Sequence, residues 1–193
     1  MPMPMAASSI IIIPGARPGV FFTPNLGLTI TDWYVLPIMP HATVGFLPMS
    51  LTRARIGVFC LPFRLSFSYL TCYASLGGTG GARVGLFTLE GENLLDVESD
   101  VAPGLLTIDA ALILESGFYW LTLCQAQAGT APNILVWQSG IVSLISTNVP
   151  PGAPLYIGYI DIVGGALPSS IDPILDIHMD APNCYQPTMR FTS

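Results

Sequence analysis

Between Leu105 and Leu123 the chain alternates, turns and resumes, and that pattern leaves few folds open. In LLTIDAALIL an extended backbone puts Leu106, Ile108, Ala110, Leu112 and Leu114 on one side and Thr107, Asp109 and Ala111 on the other. Such a strand buries one face. Glu115, Ser116 and Gly117 then break the apolar run with turn residues, and FYWLTL resumes with aromatic and apolar side chains that favour strands. The two runs together read as a hairpin at the centre of a β-sandwich.

The rest of the chain repeats the theme. In LSFSYLTCYA an extended backbone sets Leu65, Phe67, Tyr69, Thr71 and Tyr73 on one side and Ser66, Ser68, Leu70, Cys72 and Ala74 on the other. The SLGGTGG that follows has no phosphate-loop Lys and no helix after it, so its glycines read as a hairpin connection. WYVLPIM, ATVGFLPM and ARIGVFCL are β-like runs cut by proline, which belongs at sheet edges or bends. ARVGLF, ILVWQSGIVSLIST and APLYIGYIDIVGG supply further strands. No stretch of ten or more residues carries a 3.6-residue period.

The expected fold is therefore all-β: an antiparallel β-sandwich, jelly-roll-like, with its core in residues 33–145. Residues 1–32 are expected to form an extended apolar arm, because Pro2, Pro4, Pro14, Pro18 and Pro24 forbid any element longer than one short strand. Residues 146–193 are expected to form an irregular C-terminal extension, its strands packing on the core or on a neighbour.

Composition bears on what surrounds the sandwich. The chain is 51% hydrophobic and only 9% charged, whereas a soluble domain carries roughly 25% charged residues. Charges this sparse cannot cover a freely diffusing monomer. A helical membrane span needs about 20 unbroken apolar residues, and Pro, Gly, Ser, Thr and Asn cut every charge-free stretch here. The four consecutive isoleucines near the N-terminus lack the length and the basic flank of a signal peptide. No membrane is expected, and the apolar surface points to oligomerisation or to burial in a large assembly.

Six Arg, no Lys and 12 acidic residues give a net charge of −6 without a basic stripe, so no nucleic-acid partner is expected. Cys60, Cys72, Cys124 and Cys184 show no CxxC spacing, and the first three sit in apolar, strand-like contexts. They read as buried free thiols made in a reducing compartment, with a Cys60–Cys72 or Cys72–Cys124 disulfide as the alternative.

A catalytic reading needs a constellation, and none stands out. His41 has no partner in sequence. Asp176, His178 and Asp180 would share one face of a strand at a spacing that could ligate a divalent metal, but Pro173 and Pro182 bracket them, and a hydrogen-bonded polar face is the more ordinary reading. Glu90, Glu92, Asp96, Glu98 and Asp100 do not match the calcium-loop spacing and read as a solvated edge. Asp109 and Glu115 could converge as a glycosidase pair, and Trp33, Trp120 and Trp137 could form a sugar platform, yet core packing explains the tryptophans better. Neither a nucleophile elbow nor HExxH occurs. No enzyme activity, cofactor or metal is expected.

Four stretches carry a family resemblance: VFCLPFRLSF, the glycine-rich loop leading into ARVGLF, the acidic connection NLLDVES, and ESGFYWLTL. Together, from Val58 to about Gln127, they resemble the β-sandwich modules of virion proteins of tailed bacteriophages, found in tail fibres and capsid-associated proteins. The resemblance implies a structural role in a virion, assembled after synthesis in the host cytoplasm, and carries over no catalytic residue. Nothing here resembles a fibre shaft. An arm plus a compact sandwich looks instead like a capsid decoration or cement protein, which implies a homotrimer bound to the major capsid protein, with Ile10, Ile11, Ile12, Ile13, Phe21 and Phe22 at the interface. The alternative is a tail-fibre or receptor-binding module.

Overall fold

The structure is a computed structural model and describes residues 32–34, 43–61, 64–139, 157–178, 184–187 and 189–192. Its elements are all strands: β1 (Asp32–Tyr34), β2 (Thr43–Pro48), β3 (Arg53–Leu61), β4 (Leu65–Leu76), β5 (Gly78–Thr88), β6 (Asn93–Val101), β7 (Gly104–Leu114), β8 (Gly117–Gln125), β9 (Asn133–Ser139), β10 (Ile157–Asp161), β11 (Cys184–Pro187) and β12 (Arg190–Thr192). They form two antiparallel sheets packed face to face, the β-sandwich expected from the alternation. One sheet has five strands in the order β10-β3-β8-β5-β6. The other has seven, with the path β1-β12-β4-β9-β11 and with β7 paired to β4 and β2 to β9.

Between the sheets, Leu65, Phe67, Leu70, Leu106, Ile108, Ile134 and Phe191 of the seven-stranded sheet meet Phe59, Leu61, Val84, Leu86, Leu121 and Leu123 of the five-stranded one. Each fully buried side chain of this size stabilises the fold by about 1.5–3 kcal/mol. Phe191 sits edge-on to Phe67 at 4.9 Å and beside Phe59 at 5.5 Å between ring centroids, so a three-residue strand ties both sheets together.

The five-stranded sheet is covered on its second face as well. Ala54, Ile56, Val58, Phe87, Trp120 and Cys124 pack there against Ile160, Ile162, Ile171 and Ile177. Residues 162–178 thus run across the sheet as a strap. Hydrogen bonds fasten it: Ile171 N donates to Gly91 O (2.9 Å), Asn93 Nδ2 to Pro168 O (3.0 Å), Gly165 N to Leu51 O (2.9 Å) and His178 N to Tyr159 O (2.8 Å). This part of the segment expected as an extension is therefore integral to the core layers.

Four expectations about connections and strand positions are corrected. The Leu105–Leu123 pair is not a hairpin: β7 pairs only with β4, whereas β8 lies between β3 and β5 in the opposite sheet. Glu115 and Ser116 carry the chain from one layer to the other, braced by Tyr119 Oη donating to Glu115 O at 2.9 Å. Nor is β7 central, since among the described residues its second edge is unpaired. SLGGTGG is likewise no hairpin loop; Gly78, Thr79, Gly80 and Gly81 already belong to β5, and the chain crosses between sheets at Gly77. Finally, ARIGVFCL is an interior strand, because Pro62 falls just beyond the end of β3.

The alternation of β4 also breaks. Its pairing with β7 shifts register between Phe67 and Tyr69, where two residue steps on β4 match three on β7. Leu65 and Phe67 point inward before the shift, and Leu70, Cys72 and Ala74 after it. Tyr69 and Tyr73 are consequently delivered to the outer face, away from Leu65 and Phe67. The inward set on β7, Leu106, Ile108, Ala110, Leu112 and Leu114, is the one the alternation predicts.

Candidate interaction surface

The register shift in β4 builds a surface feature. Tyr73 on β4 stands opposite Leu105 on β7, and its ring lies 6.1 Å from that of Phe46 on β2. Phe46 in turn stands opposite Leu135 on β9. Phe46, Leu135, Tyr73 and Leu105 therefore make one apolar row across four strands of the outer face. Phe46 is 46% exposed, Tyr73 48% and Leu105 68%, so the row lies open among the described residues. Tyr69 and Ile113 extend it, and Asp109, opposite Tyr69, brings a carboxylate to the same face.

The acidic stretch lies elsewhere. On β6, Asp96, Glu98 and Asp100 point outward while Val97 and Leu95 pack on the core, which is the solvated edge expected. Arg83 on β5 reaches Glu98 through Nη2 at 2.6 Å and lies 3.6 Å from Asp96 through Nε. Burial nevertheless raises the Asp96 carboxyl above its ordinary value, with Arg83 pulling the other way. A shallow recess of about 290 Å³ lined by Gly81, Glu98, Ser99, Asp100, Ala126 and Gln127 opens beside it. Its walls offer two carboxylates, the Ser99 hydroxyl and an amide.

Of the metal candidates, Asp176 and His178 are turned to different partners. Pro173–Asp176 is a turn, not a strand. Asp172 Oδ1 accepts from Ile174 N (2.9 Å) and Leu175 N (3.2 Å), and Asp176 Oδ2 accepts from Asp172 N (2.7 Å), so both carboxylates cap the turn. His178 instead faces Asp161, with Nε2 to Oδ2 at 3.5 Å. Asp180 and His41 lie outside the described residues, and among those described no three His, Cys, Asp or Glu side chains are placed to share a metal. Trp120 is buried, its Nε1 donating to Leu89 O at 3.1 Å.

Cys72 and Cys124 are free and buried, on opposite faces of the five-stranded layer, which rules out a bond between them; burial pushes both thiols up to about 12. Cys60 is free and half-buried, its thiol also raised by burial. Ile10, Ile11, Ile12, Ile13, Phe21 and Phe22, the interface residues expected from the sequence, lie outside the described residues. The outer-face row was missed because β4 alternates without visible interruption; Ser68, small and polar between two aromatic residues at the shift, was the one available signal.

Fold and surface together define an all-β sandwich with an open apolar sheet face and no catalytic constellation among the described residues. No family model matches the chain, and no curated protein matches it. Among solved structures, the chain is similar to one from the Gt strain of infectious bursal disease virus, at 11% identity and a TM-score of 0.19, over 95% of this chain and 46% of that one. The corresponding structure from the Gx strain gives 9% identity and a TM-score of 0.16, over 96% and 46%. The chain thus spans less than half the length of either. No helix among the described residues is long and apolar enough to cross a membrane.

Proposed function

We propose that this is a non-enzymatic structural protein of a virion, specifically a capsid decoration or cement protein of a tailed bacteriophage that bridges and stabilises neighbouring capsid subunits. The observation that carries the reading is the open apolar row Phe46, Leu135, Tyr73 and Leu105 on the outer face of the seven-stranded sheet. Large exposed apolar patches on otherwise well-packed proteins mark partner surfaces. The apolar character of residues 1–32 and the resemblance of Val58–Gln127 to virion sandwich modules support it further. Its partners are the major capsid protein and further copies of itself in a trimer, and its mechanism is binding alone: apolar area removed from water at up to about 25 cal/mol per Å² clamps adjacent subunits.

Co-sedimentation of the full chain with capsid shells lacking it tests the reading. The wild type is expected to pellet with shells, and Tyr73→Ser combined with Leu105→Ser to remain in the supernatant while staying folded. A wild type that ignores shells overturns the proposal. A second reading, a receptor-binding module of the tail, is favoured by the exposed Phe46 and Tyr73 rings, which could stack on a sugar. Adsorption of the isolated protein to host cells, abolished by Tyr73→Ser, would select it.

A further inference from the structure

β7 is a long strand whose second edge is unpaired among the described residues. Among the described residues its 11 residues pair with β4 alone. Every second residue of such a strand turns its N–H and C=O away from the partner, toward whatever lies beyond the edge. The usual protections are sparse. GLLTIDAALIL holds no proline, Lys or Arg, and its one charge, Asp109, points off the outer face. The register shift beside Ala110 and Ala111 still leaves Gly104 to Asp109 in regular pairing with β4. The core is incompletely closed on this side too: Leu95 and Val97 of β6 and Leu112 of β7 pack against it while remaining partly exposed.

The chain contains a segment whose chemistry fits that edge. Within residues 1–24 the longest proline-free window is Met5–Ile13, bracketed by Pro4 and Pro14, and it ends in four β-branched residues, Ile10 to Ile13. As a strand, these residues present Ile10 and Ile12 to one side and Ile11 and Ile13 to the other. A strand apolar on both faces suits this position, one face turned toward the core and the other lying beside the exposed Leu105 on the outer face. The segment is tethered at β1, which joins the sheet through β12 at the far side of β4 from β7. Reaching β7 of the same sheet means passing β12 and β4, and the edge of an adjacent copy is the alternative acceptor.

We propose that residues 5–13 of one copy add as an extra strand to the free edge of β7 in a neighbouring copy. The inference rests on the reading of residues 1–32 as a docking arm and names the surface that receives it. Hydrogen exchange of the full chain, with cysteine cross-linking, tests it. In the associated wild type the β7 amides that face away from β4 are expected to be protected, and Ile11→Asp with Ile12→Asp to speed their exchange by at least about tenfold. Thr107→Cys paired with Ile11→Cys or Ile12→Cys should give, on oxidation, a chain-to-chain disulfide absent from each single variant. Free exchange along β7 in the wild type, a disulfide formed only within one chain, or none in either pairing overturns the inference. Co-sedimentation with shells is read separately. Retained capsid binding without the cross-link sinks only this inference, and the cross-link without capsid binding sinks only the capsid role.

Discussion

Gly80 lies so close against the Gln125 side chain that a Cβ at position 80 would overlap the Gln125 amide. That amide is buried and committed, Nε2 donating to Gln127 O at 2.8 Å and to Gly129 O at 3.0 Å. The contact therefore joins the start of β5 to the loop after β8. Gly80→Ala is expected to cost about 1–3 kcal/mol by overpacking, and Gln125→Ala about 1–3 kcal/mol by removing its two hydrogen bonds to the loop after β8. Because the alanine at 125 also makes room at 80, the double variant should fall short of the sum by about 0.5 kcal/mol or more. Urea unfolding of the four proteins checks this, and simple additivity would refute it.

Phe191 carries more of the core than a three-residue strand suggests. Its ring is fully buried between Phe67 and Phe59, one from each sheet. Phe191→Ala should lose about 3–5 kcal/mol. A loss below about 1 kcal/mol, the size of a surface effect, would mean that β12 is not seated as described.

The thiols predict an alkaline instability. Cys72 and Cys124 hold their protons up to about 12 in the folded chain, against 9.0 for an ordinary thiol. With the folded value raised, the native state binds more protons than the unfolded one between those limits, so stability falls as pH rises from 9 toward 12. The slope contributed by each thiol is at most about 1.4 kcal/mol per pH unit. Unfolding measured from pH 8 upward should show the decline, and Cys72→Ala or Cys124→Ala should flatten it. An unchanged slope in both variants would count against the placement of these thiols.

Gly91, in the turn between β5 and β6, is the seat against which the strap packs. Its φ of 95° is left-handed, and a Cβ there would run into the carbonyl of Ile171. Gly91→Ala should cost about 1–3 kcal/mol in backbone strain and push Ile171 off the five-stranded sheet. Hydrogen exchange is expected to quicken first across 162–178, while Leu70, Ile108 and Leu123 keep their protection. Uniform acceleration throughout would argue against a separable strap.

Much of this architecture is legible in the letters, and the failures share one cause. Strand existence follows from alternation and from the proline and glycine punctuation, and the inward set on β7 is read residue by residue. Pairing does not follow, because Glu115-Ser116-Gly117 looks alike whether the chain folds back within a sheet or crosses between layers. The deciding signal was in the sequence: LLTIDAALIL alternates because one of its faces meets water, while Trp120 to Gln125 is buried at every residue because both faces of β8 are covered. Two strands of such different character belong in different sheets. The apolar row is harder to read, since Tyr73 reaches it only through a register shift that depends on where β7 sits.

That crossing habit has a kinetic consequence. From β2 to β9 the chain changes sheets at every connection except β5 to β6, so neither sheet is a contiguous stretch of sequence. No early fragment can complete a layer: the seven-stranded sheet waits for β12, and the five-stranded one for β10. Long-range pairings of this kind must close large loops before they are rewarded, which places folding in the slow, milliseconds-to-seconds regime. Neither layer can therefore close before its last strands are made, β10 for one and β11 and β12 for the other, so docking of the finished sandwich into any larger particle comes after both sheets have formed.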